Sequence, residues 1–120
     1  MKLVFFSLLM FFIEFCAASE APDCSGRDRW PANGAFVFLK NSGVTSNEKV
    51  DFSKTEIMRM ASEKVGKDKM SKEDLYNQVY HITFFEKNGN KISVITRSDA
   101  TETECSMGKV DVYLISTQSE

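Results

Sequence analysis

The feature that most constrains this chain is a pair of stretches with a two-residue period on either side of Asn88-Gly89. On the first, Tyr80, Ile82 and Phe84 face one way while Val79, His81, Thr83 and Phe85 face the other. On the second, Ile92, Val94 and Thr96 alternate with Lys91, Ser93, Ile95 and Arg97. Successive side chains leave a strand on opposite sides, so such alternation marks a strand with one buried face. Asn-Gly accepts the backbone angles of a tight hairpin turn, and Lys87 to Lys91 therefore predicts a β-hairpin. Val110, Val112 and Leu114, alternating with Asp111, Tyr113 and Ile115, add a last strand.

Upstream the period changes. Ala32, Ala35, Phe36 and Leu39 fall at i, i+3, i+4 and i+7, one face of a helix. Pro31 suits the first helical turn and Gly43 the position just past the end. Gly34 runs against a helix, and Phe36 to Leu39 also fits a buried strand; the helix is favoured. Next, Ser53-Lys54-Thr55-Glu56 fits a capping box, with Phe52 and Ile57 at the staple positions. Ile57, Met60, Ala61, Lys64 and Val65 extend a helical face and Gly66 follows as a stop. The alternative over 54–65 is a strand in which Ile57, Arg59 and Ala61 alternate with Met58 and Met60. Local chemistry favours the helix. Lys67 to Asp74 is a charged loop. The expected fold is α+β: an N-terminal helix packed on an antiparallel sheet of three or four strands.

That order of elements, from Pro31 to Ser116, resembles the cystatin-like layout, in which a helix is wrapped by an antiparallel meander. Cysteine-protease inhibitors of that family carry a Gln-Val-Val-Ala-Gly hairpin loop. The nearest string here, Gln78-Val79-Tyr80-His81-Ile82, falls inside an expected strand. The resemblance thus implies a layout and does not carry the family's inhibitory activity.

The chain begins with Lys2, an apolar run from Leu3 to Ile13, and small residues at Ala17, Ala18 and Ser19. This is the three-part pattern of a cleavable secretory signal, and the run is shorter than the roughly 20 residues that a membrane span needs. Small residues at the required positions place the cut after Ala18 or Ser19. Ile13, Glu14 and Phe15 ahead of Cys16 do not fit a lipidation signal. The expected organisation is a signal peptide over 1–18 and a single exported domain over 19–120, periplasmic or secreted, with no membrane attachment after cleavage. Of the three cysteines, Cys24 and Cys105 then remain. An even pair in an exported chain predicts a disulfide.

The leader also takes with it Phe5, Phe6, Phe11, Phe12 and Phe15, half of the ten phenylalanines. It removes Lys2 and Glu14 together, so the net charge stays at −2. A near-neutral domain with interspersed charges gives no electrostatic basis for binding nucleic acid or anionic membranes.

Few side chains suggest catalysis. His81 is the single histidine; it sits in mid-strand with no accompanying nucleophile motif. One histidine without a thiolate pair is too few ligands for a zinc-type site. Asp99, Glu102 and Glu104 share one acidic loop, but their spacing matches no calcium-binding loop. Phosphate-binding, dinucleotide-binding and nucleophile-elbow glycine patterns do not occur. No catalytic residue, metal ligand or cofactor is therefore assigned.

What remains is surface chemistry. Tyr113 and Ile115 face away from the expected core, Val79, His81 and Phe85 share the corresponding face of the hairpin, and Trp30 is added to them. Their composition is that of interface centres. A helix over 54–65 would cover this face, whereas a strand there would leave it open. The expected function is that of a non-catalytic exported binding protein, of inhibitor or immunity type, whose partner is another exported protein. The alternatives are a carrier holding a small molecule or lipid between helix and sheet, and a small hydrolase using His81.

Overall fold

The structure, a computed structural model, describes residues 21–119. The leader expected over 1–18 lies outside the described residues. One helix, α1 (Trp30–Asn41), precedes four strands: β1 (Glu56–Lys67), β2 (Asp74–Phe85), β3 (Lys91–Thr101) and β4 (Asp111–Gln118). The strands form one antiparallel sheet in sequence order. The class is α+β, as expected, although the helix is not N-terminal: residues 21–29 come before it without helix or strand. Pro22 and Cys24 in that segment are held against the sheet, which leaves Pro31 to set the start of the helix.

β2 and β3 pair without a register break from Leu75↔Thr101 to Phe85↔Lys91. The amides of the turn are satisfied within it, Glu86 N donating to Asn90 O at 2.8 Å and Gly89 N to Glu86 O at 2.9 Å. Gly89 has φ of 94°, a conformation glycine adopts without steric cost. Tyr80, Ile82, Phe84, Ile92, Val94 and Thr96 are all buried, so the alternation in the sequence does mark the core face.

Residues 54–65 are not a helix. Phe52–Lys54 make one turn of 3-10 helix capped by Asp51, whose side chain accepts from Ser53 N, and the chain then enters β1. β1 pairs along β2 from Glu56↔Thr83 to Lys67↔Asp74, with register shifts at Met60 and Val65. These two apolar residues are the ones that break a two-residue period and imitate a helical one. Every interior strand needs partners for both rows of its backbone N–H and C=O groups. β1 supplies the second row for β2, and that requirement overrides a local helix preference.

The core lies between α1 and the sheet. Ala32, Ala35, Phe36 and Leu39 pack with Tyr80, Ile82, Phe84, Ile92 and Val94. Phe36 meets Phe84 at 6.0 Å and, edge to face, Phe52 at 4.7 Å between ring centroids. Leu39 is fully buried, and truncating such a residue to Ala typically costs about 2–5 kcal/mol. The helix leaves most of β4 bare. Leu114 shares the core-side face with Val94 yet is 45% exposed, against its expected place in the core.

Cys24 and Cys105 form the expected disulfide, with Cα atoms 5.8 Å apart across a sequence separation of 81. Beside it runs a polar chain. Cys24 N donates to Tyr80 Oη at 3.0 Å, and that hydroxyl donates to Gln78 Oε1 at 2.7 Å. Gln78 Nε2 donates to Pro22 O at 2.9 Å and to Ser62 Oγ at 3.1 Å; Arg59 Nη1 reaches the same Pro22 carbonyl at 3.0 Å. Gln78 and Tyr80 are fully buried, so these bonds offset the loss of water. Among the described residues no helix is long and apolar enough to cross a membrane.

Candidate functional site

Sheet pairing sets which side chains share the face turned away from α1. Cross-strand partners form rows: Met58, His81, Ile95 and Tyr113 make one, and Ala61, Val79, Arg97 and Asp111 the next. Glu56, Thr83, Ser93 and Ser116 flank them on one side, and Glu63, Asn77 and Asp99 on the other. The outcome is an apolar band with polar margins. Arg97 Nη2 and Lys109 Nζ lie 3.6 and 3.5 Å from the Asp111 carboxylate, and Asn77 Nδ2 donates to Asp99 Oδ1 at 2.9 Å. At the hairpin end, Lys91 Nζ sits 5.6 Å from the centroid of the Phe85 ring.

Among the described residues, the segments packed on the sheet meet its other face. These are α1, the residues around Val44 and Val50, and the disulfide, all joined to the core cluster. Because 54–65 is a strand, the helix that would have covered the open face does not exist. Val79, His81 and Phe85 are half-buried among their neighbours, and Tyr113 is 57% exposed.

Four of the six surface residues picked from the sequence, Val79, His81, Phe85 and Tyr113, thus fall on one face. Trp30 does not. It belongs to α1 on the opposite side, where its indole Nε1 donates to Gly108 O at 2.7 Å. Ile115 sits at the register shift of β4, on the outer edge. Sequence reasoning missed Met58 and Ile95. Ile95 was visible in the alternation of its strand, whereas Met58 was hidden in a segment read as helix.

His81 lies between Met58 and Ile95 in its row, beside an open cleft of about 290 Å³ lined by Glu56, Ile57, Met58 and Thr83. The acidic loop does not converge. Asp99 is taken by Asn77, and Glu104 accepts from Ser106, which holds its carboxyl below the usual range. Among the described residues no three His, Cys, Asp or Glu side chains gather as a metal site would require.

The junction between helix and sheet is filled by side chains, with Ala35, Leu39, Tyr80, Ile82 and Val94 fully buried. A larger cleft, about 350 Å³, opens instead at the end of the sheet between Val44, Lys49, Glu86 and Thr117. Gln78 to Ile82 lies within β2, with Gln78, Tyr80 and Ile82 facing the core.

No protein-family model, curated protein or solved structure matches the chain. The likeness to the cystatin layout therefore rests on the order of elements alone.

Proposed function

We propose that this protein is a non-catalytic binding protein, exported to the periplasm or the medium, that acts on another exported protein as an inhibitor or immunity factor does. The observation that carries this reading is the open sheet face, an apolar band of Met58, Val79, Ile95 and Tyr113 within polar margins. Interface centres have that composition, and their rims are polar in the same way. The disulfide suits an oxidising compartment. A ligand held between helix and sheet has less support, since side chains fill that space.

The immobilised chain is expected to retain one defined protein from the fluid outside the producing cells. Val79→Glu, which sets a carboxylate in the apolar band, is expected to weaken retention at least about tenfold. Met70→Glu, at a position 93% exposed in the turn between β1 and β2, is expected to leave it unchanged. Retention of no protein, or equal retention by both variants, would count decisively against the reading.

A further inference from the structure

A separate cleft of about 230 Å³ lies where the start of α1 meets the loop between β3 and β4. Residues 28–33 and 104–106 form it, and the Cys24–Cys105 disulfide ties the second segment to the chain that leads into the first. Trp30, the single tryptophan of the chain, lines the cleft and is 38% exposed. Its one polar atom, Nε1, already donates to Gly108 O at 2.7 Å. The indole is therefore fixed in place and offers a ligand only its ring. The rest of the lining is polar. Asn33 gives its Nδ2 to Asp28 O at 3.0 Å and keeps Oδ1 as an acceptor. The Ser106 hydroxyl and amide hold the Glu104 carboxyl below its usual range, so it stays an ionised acceptor. Asp28 adds a second carboxylate and Arg29 a guanidinium.

We propose that this cleft binds one ring of a neutral saccharide, its C–H face on Trp30 and its hydroxyls on the polar groups around it. The lining selects that chemistry. An apolar side chain from a partner would cover the indole but strip water from two carboxylates without replacing it. An anion would face both carboxylates, with Arg29 alone in its favour. A quaternary ammonium ion is held by a cage of aromatic rings, and Trp30 is the only ring among the described lining residues. A pyranose meets both demands. The C–H bonds of one face make a weakly apolar plane of slight positive charge, which suits the negative face of the indole. The hydroxyls at its edge donate to the carboxylates and to Asn33, and accept from Arg29. Hydrogen bonds with one ionised partner are the stronger kind. The volume falls below the roughly 300–1,000 Å³ of drug-sized pockets and admits one ring rather than a chain. Walls fixed beforehand reduce the entropy lost on binding. The cleft shares no residue with the band of Met58, Val79, Ile95 and Tyr113, so the inference does not depend on the proposed function.

Because the chain has one tryptophan, its fluorescence reports on this cleft alone. The protein is titrated with methyl β-D-glucoside, methyl β-D-galactoside and N-acetyl-D-glucosamine. At least one of the three is expected to change the emission saturably, with a Kd of about 1–10 mM, the scale of so small a ligand. Sorbitol, which has hydroxyls but no ring face, is expected to leave the emission unchanged. Trp30→Ala, read by calorimetry, is expected to weaken binding of that sugar at least about tenfold. Lys87→Ala, exposed in the turn at the other end of the sheet, is expected to bind it as the parent does. A melt matching the parent establishes that Trp30→Ala folds; if it does not, Asp28→Ala, ahead of the helix, takes its place with the same expected loss. No saturable response to any of the three sugars below about 100 mM overturns the proposal. So does an equal response to sorbitol, tighter binding of choline or inorganic phosphate, or a sugar that the folded variant binds as tightly as the parent.

Discussion

Gly34 lies so close to Val110 that a Cβ added to it would stand 2.6 Å from Val110 Cγ2 and 2.8 Å from Val110 Cβ. A glycine that looks misplaced in mid-helix is thus the point at which α1 seats on the chain leading into β4. Gly34→Ala offers up to about 1 kcal/mol of helix propensity. The contact, however, involves a branched carbon near the backbone, and such overpacking typically costs about 1–3 kcal/mol. The variant is expected to be less stable than the parent in urea melts. Combining it with Val110→Ala should recover most of the loss, a coupling that a double-mutant cycle reads directly.

Tyr80→Phe removes the hydroxyl that links Cys24 N to Gln78 Oε1. The ring still fills its place, so the change isolates the polar chain. Leaving a buried donor and acceptor unpaired is expected to cost about 1–3 kcal/mol. Burial, the largest influence on this hydroxyl, also pushes its pKa upward. A raised acid favours the neutral folded form. Tyr80 therefore contributes stability that is present below the unfolded value near pH 10 and is lost as pH rises through the folded one. The parent is expected to lose stability above about pH 10 more steeply than Tyr80→Phe.

Reduction of Cys24–Cys105 opens a loop closed across 81 residues. Chain entropy sets the loss at up to about 4–5 kcal/mol, and about 1 kcal/mol moves the midpoint by roughly 4–8 °C in a domain this small. A fall in Tm well above 10 °C is expected on adding reductant, read by circular dichroism. An unchanged midpoint would mean that the pair adds nothing to stability.

Asp23, Asp51, Asp68 and Glu104 each accept hydrogen bonds from a serine two or three residues on, and each has its pKa lowered chiefly by those bonds. For a lowered carboxylate, the stabilisation is present above the unfolded value near pH 4 and is lost as pH falls through the folded one. Tm is expected to stay level from pH 7 to about pH 5 and to fall below about pH 4. Asp23 and Glu104 are exposed and Asp51 and Asp68 half-exposed, so the effect of each is small and salt-sensitive.

The hairpin, α1 and the disulfide were legible because each depends on local or compositional rules: a period of two about Asn88-Gly89, apolar residues at helical spacing from Ala32 to Leu39, and the even pair of cysteines left once Cys16 is counted with the expected leader. Segment 54–65 was not. Its helical spacing arises where Met60 and Val65 sit at register shifts, and only pairing with β2 reveals those shifts. The candidate face divides along the same line. Val79, His81, Phe85 and Tyr113 declare their side by alternation within their own strands. Met58 becomes their neighbour only when β1 exists, and Trp30 leaves the group because α1 packs on the opposite side.

The sequence by itself determined the periods, the turn and the cysteine pair, since these are properties of neighbouring residues or of composition. Tertiary structure alone decided that 56–67 is a strand, that Gly34 must be glycine, and that among the described residues one face of the sheet stays open. Each of these depends on what lies across the sheet: backbone groups of β2 that need partners, Val110 against the helix, and α1, which covers the other side.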